Sequence, residues 1–283
     1  MTIVSFHDRA DALLRRVLAI PDAALEGEFK WRDHDFFRRH GIYMVTEELL
    51  AAADAQEEGD GGEAGRLAGH VVAAEWDLRS VILPLEPELI DLDPGSGEWT
   101  LRQTLSHVLD SQDYWGWGIA WWADHRRRGE EVPLRPRRAD LPERLLIEDR
   151  RFEGDAAGLA EQLDELTRSS CHDLMEAAAL GLLHEPQVAF NGRPELPVDM
   201  AYYPRRWAAH LREHTVQVEK TLVLLGRVPS EQERMARVIG QALGQLEAAW
   251  WRGGRRSGLE AVLEPAETHL ASVESAMAVT PGG

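Results

Sequence analysis

The segment YPRRWAAHLREHTVQVEKTLVL, residues 203–224, predicts one long helix with two histidines on the same face. His210 and His214 are four residues apart, so their imidazoles leave the helix about one turn apart. A helix can offer two nitrogen ligands to one metal ion in this way. Because this spacing also arises by chance on amphipathic helices, a metal site needs a third ligand from another helix, and His107 is the candidate.

His107 lies in a second predicted helix, in the stretch GEWTLRQTLSHVLDSQDYW. Thr100 and Gln103 have the spacing of a capping box, in which each side chain bonds to the backbone amide of the other residue. The helix therefore begins just after Trp99, and it ends near residue 128.

Composition and charge exclude several classes of protein. The chain has 283 residues, 44% hydrophobic and 28% charged, which is typical of a soluble globular protein. The net charge of −18 repels phosphate backbones and anionic lipids, so no nucleic-acid or membrane partner is expected. No apolar run approaches the ~20 residues of a membrane span, and the N-terminus lacks a signal-peptide pattern. The one cysteine, Cys171, rules out an internal disulfide and fits a reducing cytoplasm, the expected location.

Helical periodicity recurs along the chain, whereas alternating strand patterns bounded by hairpin turns are nearly absent, so the fold class is predicted to be all-α. The predicted helices cover residues 6–19, 35–54, 63–83, 100–128, 155–181, 203–224, 230–252 and 258–277. The acidic, glycine-rich stretch 55–65 has nothing to bury and is interpreted as a flexible link. The long loop 182–204, just before His210, is a candidate lid.

The order of these features resembles the DinB/YfiT superfamily. The resemblance is carried by a Trp-Thr pair that opens a helix, a histidine eight residues after that Trp, four helices with a long second crossover, and a late HxxxH helix. It implies a DinB-like four-helix bundle in residues 63–227, with extra helices in residues 1–62 (including the link) and 228–283. It also implies a divalent metal held near one end of the bundle by His107, His210 and His214. Many members have an acidic residue where this chain has Gln103, a departure expected to affect helix capping and not the metal.

Three neutral imidazoles suit zinc, nickel or iron(II), and three protein ligands leave a coordination position open. The superfamily includes thiol-dependent S-transferases and mycothiol-dependent maleylpyruvate isomerase. The resemblance therefore implies transfer or isomerisation with a low-molecular-weight thiol such as mycothiol or bacillithiol, acting on a small electrophile, with the metal holding the thiolate. Two other hypotheses stay open: a metal-dependent hydrolase, and a non-catalytic helical protein that binds a small molecule or serves in a stress response.

Spacing identifies a few residues that could assist. Tyr203 and Gln217 lie seven residues on either side of His210, and Tyr114 lies seven residues after the first histidine, so each shares a face with a histidine. They are candidate contacts of the ligands or the substrate, and plain packing is the alternative. Glu213, on the helix flank, is a candidate general base, and no residue is assigned as catalytic. The terminal helices either complete the bundle or form a homodimer interface, and the sequence leaves both open.

Overall fold

The computed structural model describes residues 5–31, 34–56, 59–95, 97–188, 197–254 and 258–278. The described helices are α1 (Phe6–Leu18), α2 (Asp22–Leu25), α3 (Arg38–Asp54), α4 (Gly62–Ile82), α5 (Leu101–Arg127), α6 (Ala156–Ala179), α7 (Tyr202–Leu224), α8 (Glu231–Arg252) and α9 (Glu264–Ala278). Two antiparallel pairs of very short strands accompany them: β1 (Glu28–Trp31) with β2 (His34–Phe37), and β3 (Pro186–Val188) with β4 (Pro197–Asp199).

The prediction of an all-α fold is confirmed, because the strands are only three or four residues long. All eight predicted helices are found. The largest shift of a boundary is at α9, which begins at Glu264 after a 3₁₀ turn over Leu259–Leu263. Among the described helices, none combines the length and the apolar composition that crossing a lipid bilayer requires.

Helices α4, α5, α6 and α7 form a four-helix bundle. Helix α4 packs against α6 and α7, and α5 packs against the same two helices from the other side. The side chains between them are apolar and almost fully buried, for example Leu78, Leu105, Leu163 and Leu211. The contact between α5 and α7 brings together the two helices that carry the predicted metal ligands.

The two terminal segments join each other on the outer side of α4. Helix α8 packs along α4, and α1, α3 and α9 pack on α8 or on each other. Glycines make the close approach of α4 and α8 possible, since a Cβ added at Gly240 would lie 2.6 Å from the Cβ of Ser80. The terminal helices therefore add a second helical layer to the bundle.

The glycine-rich stretch 55–65 differs from the flexible link expected for it. In its described part, Gln56 is buried and the amide of Gly61 donates a 2.7 Å hydrogen bond to the carbonyl of Arg252 at the end of α8. Helix α4 begins within the stretch, at Gly62. The backbone of this stretch packs closely against the end of α8, a contact that composition does not reveal. In the candidate lid, residues 189–196 lie outside the described residues, and β3 and β4 flank them.

A buried polar network joins the outer layer to the bundle. Nε2 of His7, on α1, lies 3.0 Å from Glu247 Oε2 on α8 and 3.2 Å from Asp164 Oδ1 on α6. The indole of Trp76, on α4, donates to the same oxygen of Glu247 at 2.7 Å. Each of these side chains is less than a tenth exposed. Buried charges of this kind are costly to leave unpaired, so the network favours one arrangement of the four helices.

Glu75 on α4 is the most deeply buried carboxyl group of this network, at 1% exposure. Burial, which outweighs the attraction of Arg79, raises its pKa to about 8. The nearest charged partner is Arg79 Nη1, at 3.5 Å. Glu75 therefore carries its proton at neutral pH, which avoids a further buried negative charge beside Asp164 and Glu247.

Candidate metal centre

The first histidine is positioned by the start of α5. Thr100 Oγ1 accepts a hydrogen bond from the Gln103 amide at 3.2 Å, and Gln103 Oε1 accepts one from the Thr100 amide at 2.8 Å. The predicted capping box is thus present and fixes where the helix begins. His107 follows in the second turn with an exposed side chain, and the edge of the Trp99 ring lies against it at 5.3 Å between centroids.

Helix α7 positions the other two histidines. His210 and His214 are each only 5% exposed, on the face of α7 that also carries the buried residues Trp207, Leu211 and Val218. The four-residue spacing turns both imidazoles toward α5, as the sequence predicts.

The three imidazoles converge through their Nε2 atoms. Nε2 of His210 lies 3.1 Å from Nε2 of His107 and 2.9 Å from Nε2 of His214. One nitrogen from each ring lies within 4.8 Å of the other two, and in the described part of the chain no other group of three or more His, Cys, Asp or Glu residues meets this criterion. Residues separated by more than 100 positions in the sequence therefore meet at one point.

The pKa values of the two buried imidazoles and of the more exposed His107 are all lowered. Loss of solvent lowers the pKa of His107 and of His214, and it lowers the pKa of His210 to about 3. The neighbouring histidines lower the pKa of His210 further, because each disfavours a second positive charge nearby. At neutral pH the three rings are therefore uncharged and have lone pairs available for a metal ion.

The arrangement fits a divalent metal ion. Two nitrogen atoms bound at about 2.0–2.1 Å to one ion lie roughly 2.8–3.4 Å apart for angles between 90° and 109°. The observed separations of 2.9 and 3.1 Å lie in this range. Three neutral nitrogen donors are suited to zinc, nickel or iron(II). His107, His210 and His214 could therefore hold such an ion.

Gln217 orients one of the rings. Its Oε1 lies 2.7 Å from Nδ1 of His214, one turn back along α7. An amide oxygen can only accept, so Nδ1 donates its proton and Nε2 keeps the lone pair that faces the other histidines. Of the candidate assisting residues, Gln217 is therefore in direct contact with a histidine.

The exposed side of the centre borders a cavity of about 480 Å³. Its lining includes Trp99, Arg102, His107, Asp110, Arg150 and Arg151. A volume of this size accommodates a small molecule. Two other cavities, of about 240 and 760 Å³, have none of the three histidines in their walls.

The sequence did not single out the charged residues of this cavity. Helical spacing could have identified Asp110, because it lies three residues after His107 and so projects from nearly the same side of α5. Arg150 and Arg151 had no such signal, since they lie in the connection between α5 and α6 and reach the cavity only through the path of that loop.

The other residues that the spacing singled out are Tyr203, Tyr114 and Glu213. Tyr203 is buried at the start of α7, with its ring 5.5 Å from that of Trp122, and Tyr114 is half-buried, with its pKa raised to about 12 by burial. Their roles stay predictions. Glu213 is 61% exposed and pairs with Arg206 at 3.3 Å, an arrangement typical of a solvated helix face.

Comparison with known proteins finds a family match in the central part of the chain. A family model described as the DinB superfamily matches residues 70–218, from α4 to α7. The chain belongs to the DinB superfamily. The match includes all three histidines, while the outer helical layer lies largely outside it. Neither the curated proteins nor the solved structures contain a match to the chain.

Proposed function

We propose that this DinB-superfamily chain is a metal-dependent enzyme that acts on a small electrophile with the help of a low-molecular-weight thiol. The enzyme either transfers the thiol to the electrophile or uses the thiol to isomerise it. One observation carries the proposal: three neutral imidazoles converge, and one of them, His107, borders a cavity large enough for a small molecule. A purely structural site would be closed on all sides by protein ligands, whereas catalytic sites keep a position open.

The residues of the chain have separate tasks in this proposal. His210 and His214 supply two buried nitrogen ligands, and His107 supplies the third on the side that faces the cavity. Gln217 holds the tautomer of His214 in which Nε2 is free. A divalent metal bound there supplies a Lewis acid, which lowers the pKa of a thiol or of water and so yields a nucleophile near neutral pH.

Elemental analysis of the purified protein tests the site. We expect stoichiometric zinc, nickel or iron in the wild type and its loss in His210→Ala. His70→Ala is the matched control, because His70 is an exposed histidine on α4 within the family match. Equal metal content in His210→Ala and in the wild type would refute the site.

Thiol chemistry is tested separately. The metal-loaded protein is mixed with a thiol and a small electrophile, and conjugate formation or isomerisation is followed against His210→Ala. A metal-loaded protein that accelerates neither reaction would count against the thiol-dependent function and for a non-catalytic protein.

A metal-dependent hydrolase is the second candidate, and Asp110 favours it. Its carboxyl group lines the same cavity as His107, where a general base for an attacking water would be needed. This candidate would be favoured if the protein hydrolysed small esters or amides faster than it conjugated a thiol, and if Asp110→Asn lost the hydrolysis.

A further inference from the structure

The wall of the cavity beside His107 is rich in arginine. Arg102, Arg150 and Arg151 line it, against two carboxylates, Asp110 and Asp149. The chain as a whole carries a net charge of −18. Asp91 and Asp113, just behind the wall, pair with these arginines, so attraction of a negatively charged group depends on the guanidinium N–H groups that this pairing does not use.

Arg150 is held in place by groups behind it. Its Nη1 donates to Asp113 Oδ2 at 2.7 Å, and its guanidinium lies 4.2 Å above the ring of Phe152. Asp113 is itself buried, and it is absent from the cavity wall. Nη1 also lies 3.9 Å from Asp110 Oδ1 in the wall, and these contacts of Arg150 involve neither Nε nor Nη2. The side chain is 22% exposed, so a ligand can reach it without a rearrangement.

The other two arginines share one anchor. Asp91 Oδ1 accepts from Arg102 Nε at 2.7 Å and from Arg151 Nη2 at 3.0 Å. The turn that precedes Arg150 is also unusual, because Asp149 has a φ of 50°, the only positive φ of a non-glycine residue in the described part of the chain. Such a conformation costs energy and is common where a loop must present particular side chains.

We propose that this cavity binds the carboxylate end of the small ligand whose other end reaches the three histidines. The proposal rests on the proposed function and names a substrate class for it: a molecule with a single negative charge. A guanidinium with two free N–H donors matches a carboxylate in shape as well as in charge. Asp110 and Asp149 in the same wall disfavour a dianion such as a phosphate ester.

A series of thiols that differ only in the charge of the tail tests the proposal. The protein is loaded with cobalt(II), and binding is followed by the sulfur-to-cobalt absorption band at equal thiolate concentrations. ω-Mercaptoalkanoates of increasing length are compared with their amides and with aminoalkanethiols. At a chain length that spans the cavity, we expect the carboxylate to bind roughly tenfold more tightly than the amide, and the amine to bind more weakly than both.

Two variants give the experiment its specificity. Arg150→Gln is expected to reduce the preference for the carboxylate over the amide to within about twofold, with cobalt content unchanged. Arg144→Gln is the matched control, because Arg144 also pairs with Asp113, at 3.0 Å, but does not line the cavity. Should Arg150→Gln fail to fold, as judged by circular dichroism, Arg151→Gln replaces it, since Arg151 is 59% exposed.

The outcomes separate this proposal from the proposed function. Thiols of every charge that bind equally at all chain lengths would overturn the carboxylate site and leave the thiol-dependent function standing. If no thiol gives the band, the thiol-dependent function fails. Calorimetry with small monocarboxylates and their amides then decides whether the cavity binds a carboxylate. A preference for the carboxylate that Arg150→Gln removes supports the site and assigns the carboxylate to the electrophilic substrate. No preference overturns the site.

Discussion

Replacing Gln217 by leucine removes a single hydrogen-bond acceptor next to the metal centre while keeping the side chain nearly isosteric. In the wild type, Oε1 of Gln217 accepts from Nδ1 of His214 at 2.7 Å. His214 is 5% exposed, so water replaces this acceptor only in part. The variant therefore frees the ring to place its proton on Nε2, where a proton blocks metal binding.

The expected loss of metal affinity in Gln217→Leu has two contributions. A hydrogen bond of this kind contributes about 0.5–1.5 kcal/mol, and the freedom to adopt the wrong tautomer or ring orientation adds a similar amount. Together they give about 1–3 kcal/mol, which corresponds to roughly a 5–150-fold weaker metal affinity. Gln217→Glu keeps an acceptor at the same place and makes it negative, so its affinity is expected to equal or exceed that of the wild type.

Competition with a chromophoric chelator for zinc or cobalt(II) measures the three affinities at one pH. Thermal unfolding of the metal-free proteins provides a check that Gln217→Leu leaves the fold intact. A metal affinity for Gln217→Leu within twofold of the wild type would refute the view that this amide orients the ring of His214.

Three further predictions concern the fold. Glu75 is buried with a pKa raised to about 8, so the native state keeps a proton that the unfolded chain releases near pH 4.5. This group therefore makes the free energy of unfolding fall as the pH rises from about 5 to 8. Urea titrations of Glu75→Gln should show a flatter pH profile of stability, and higher stability at pH 8 than the wild type. Gly240→Ala places a Cβ 2.6 Å from that of Ser80, so despite the better helix propensity of alanine we expect the free energy of unfolding to fall by about 1–3 kcal/mol. Gly158→Ala is the control and should lose no stability, because its added Cβ lies 3.4 Å from the nearest atom. Equal stabilities of the two variants would contradict the close approach of α4 and α8. Thr100→Ala removes the cap of α5 and should cost about 0.5–2 kcal/mol in denaturant unfolding, and an unchanged midpoint would show that the capping box is dispensable.

Local patterns in the sequence were sufficient to predict most of the helices and their limits. The start of α5 is the clearest case, because the capping box at Thr100 and Gln103 involves residues three apart and depends on nothing distant. The glycine-rich stretch 55–65 is the opposite case. Its composition favours a flexible link, but its backbone packs against the end of α8, and that contact is made with residues nearly 200 positions away.

Some features of the candidate site could likewise be predicted from the sequence, and others could not. The sequence proposed His107, His210 and His214 from helical spacing and from a family resemblance, and the structure brings their Nε2 atoms together. The cavity beside them was not foreseen, since Arg150 reaches it from a loop without periodicity. Nor does any local pattern in the predicted helix 6–19 indicate that His7 belongs to a buried polar network.

By itself, the sequence determined the all-α class and the limits of most helices, because helix periodicity and capping act over a few neighbouring residues. It also indicated three histidines as candidate metal ligands, through their spacing and a family resemblance. Only the tertiary structure decided that the two ends of the chain form one layer against α4, and which charged side chains face the cavity beside His107. These depend on how helices approach one another and on the path of a connecting loop. Both are set by packing between residues far apart in the chain, which no local pattern encodes.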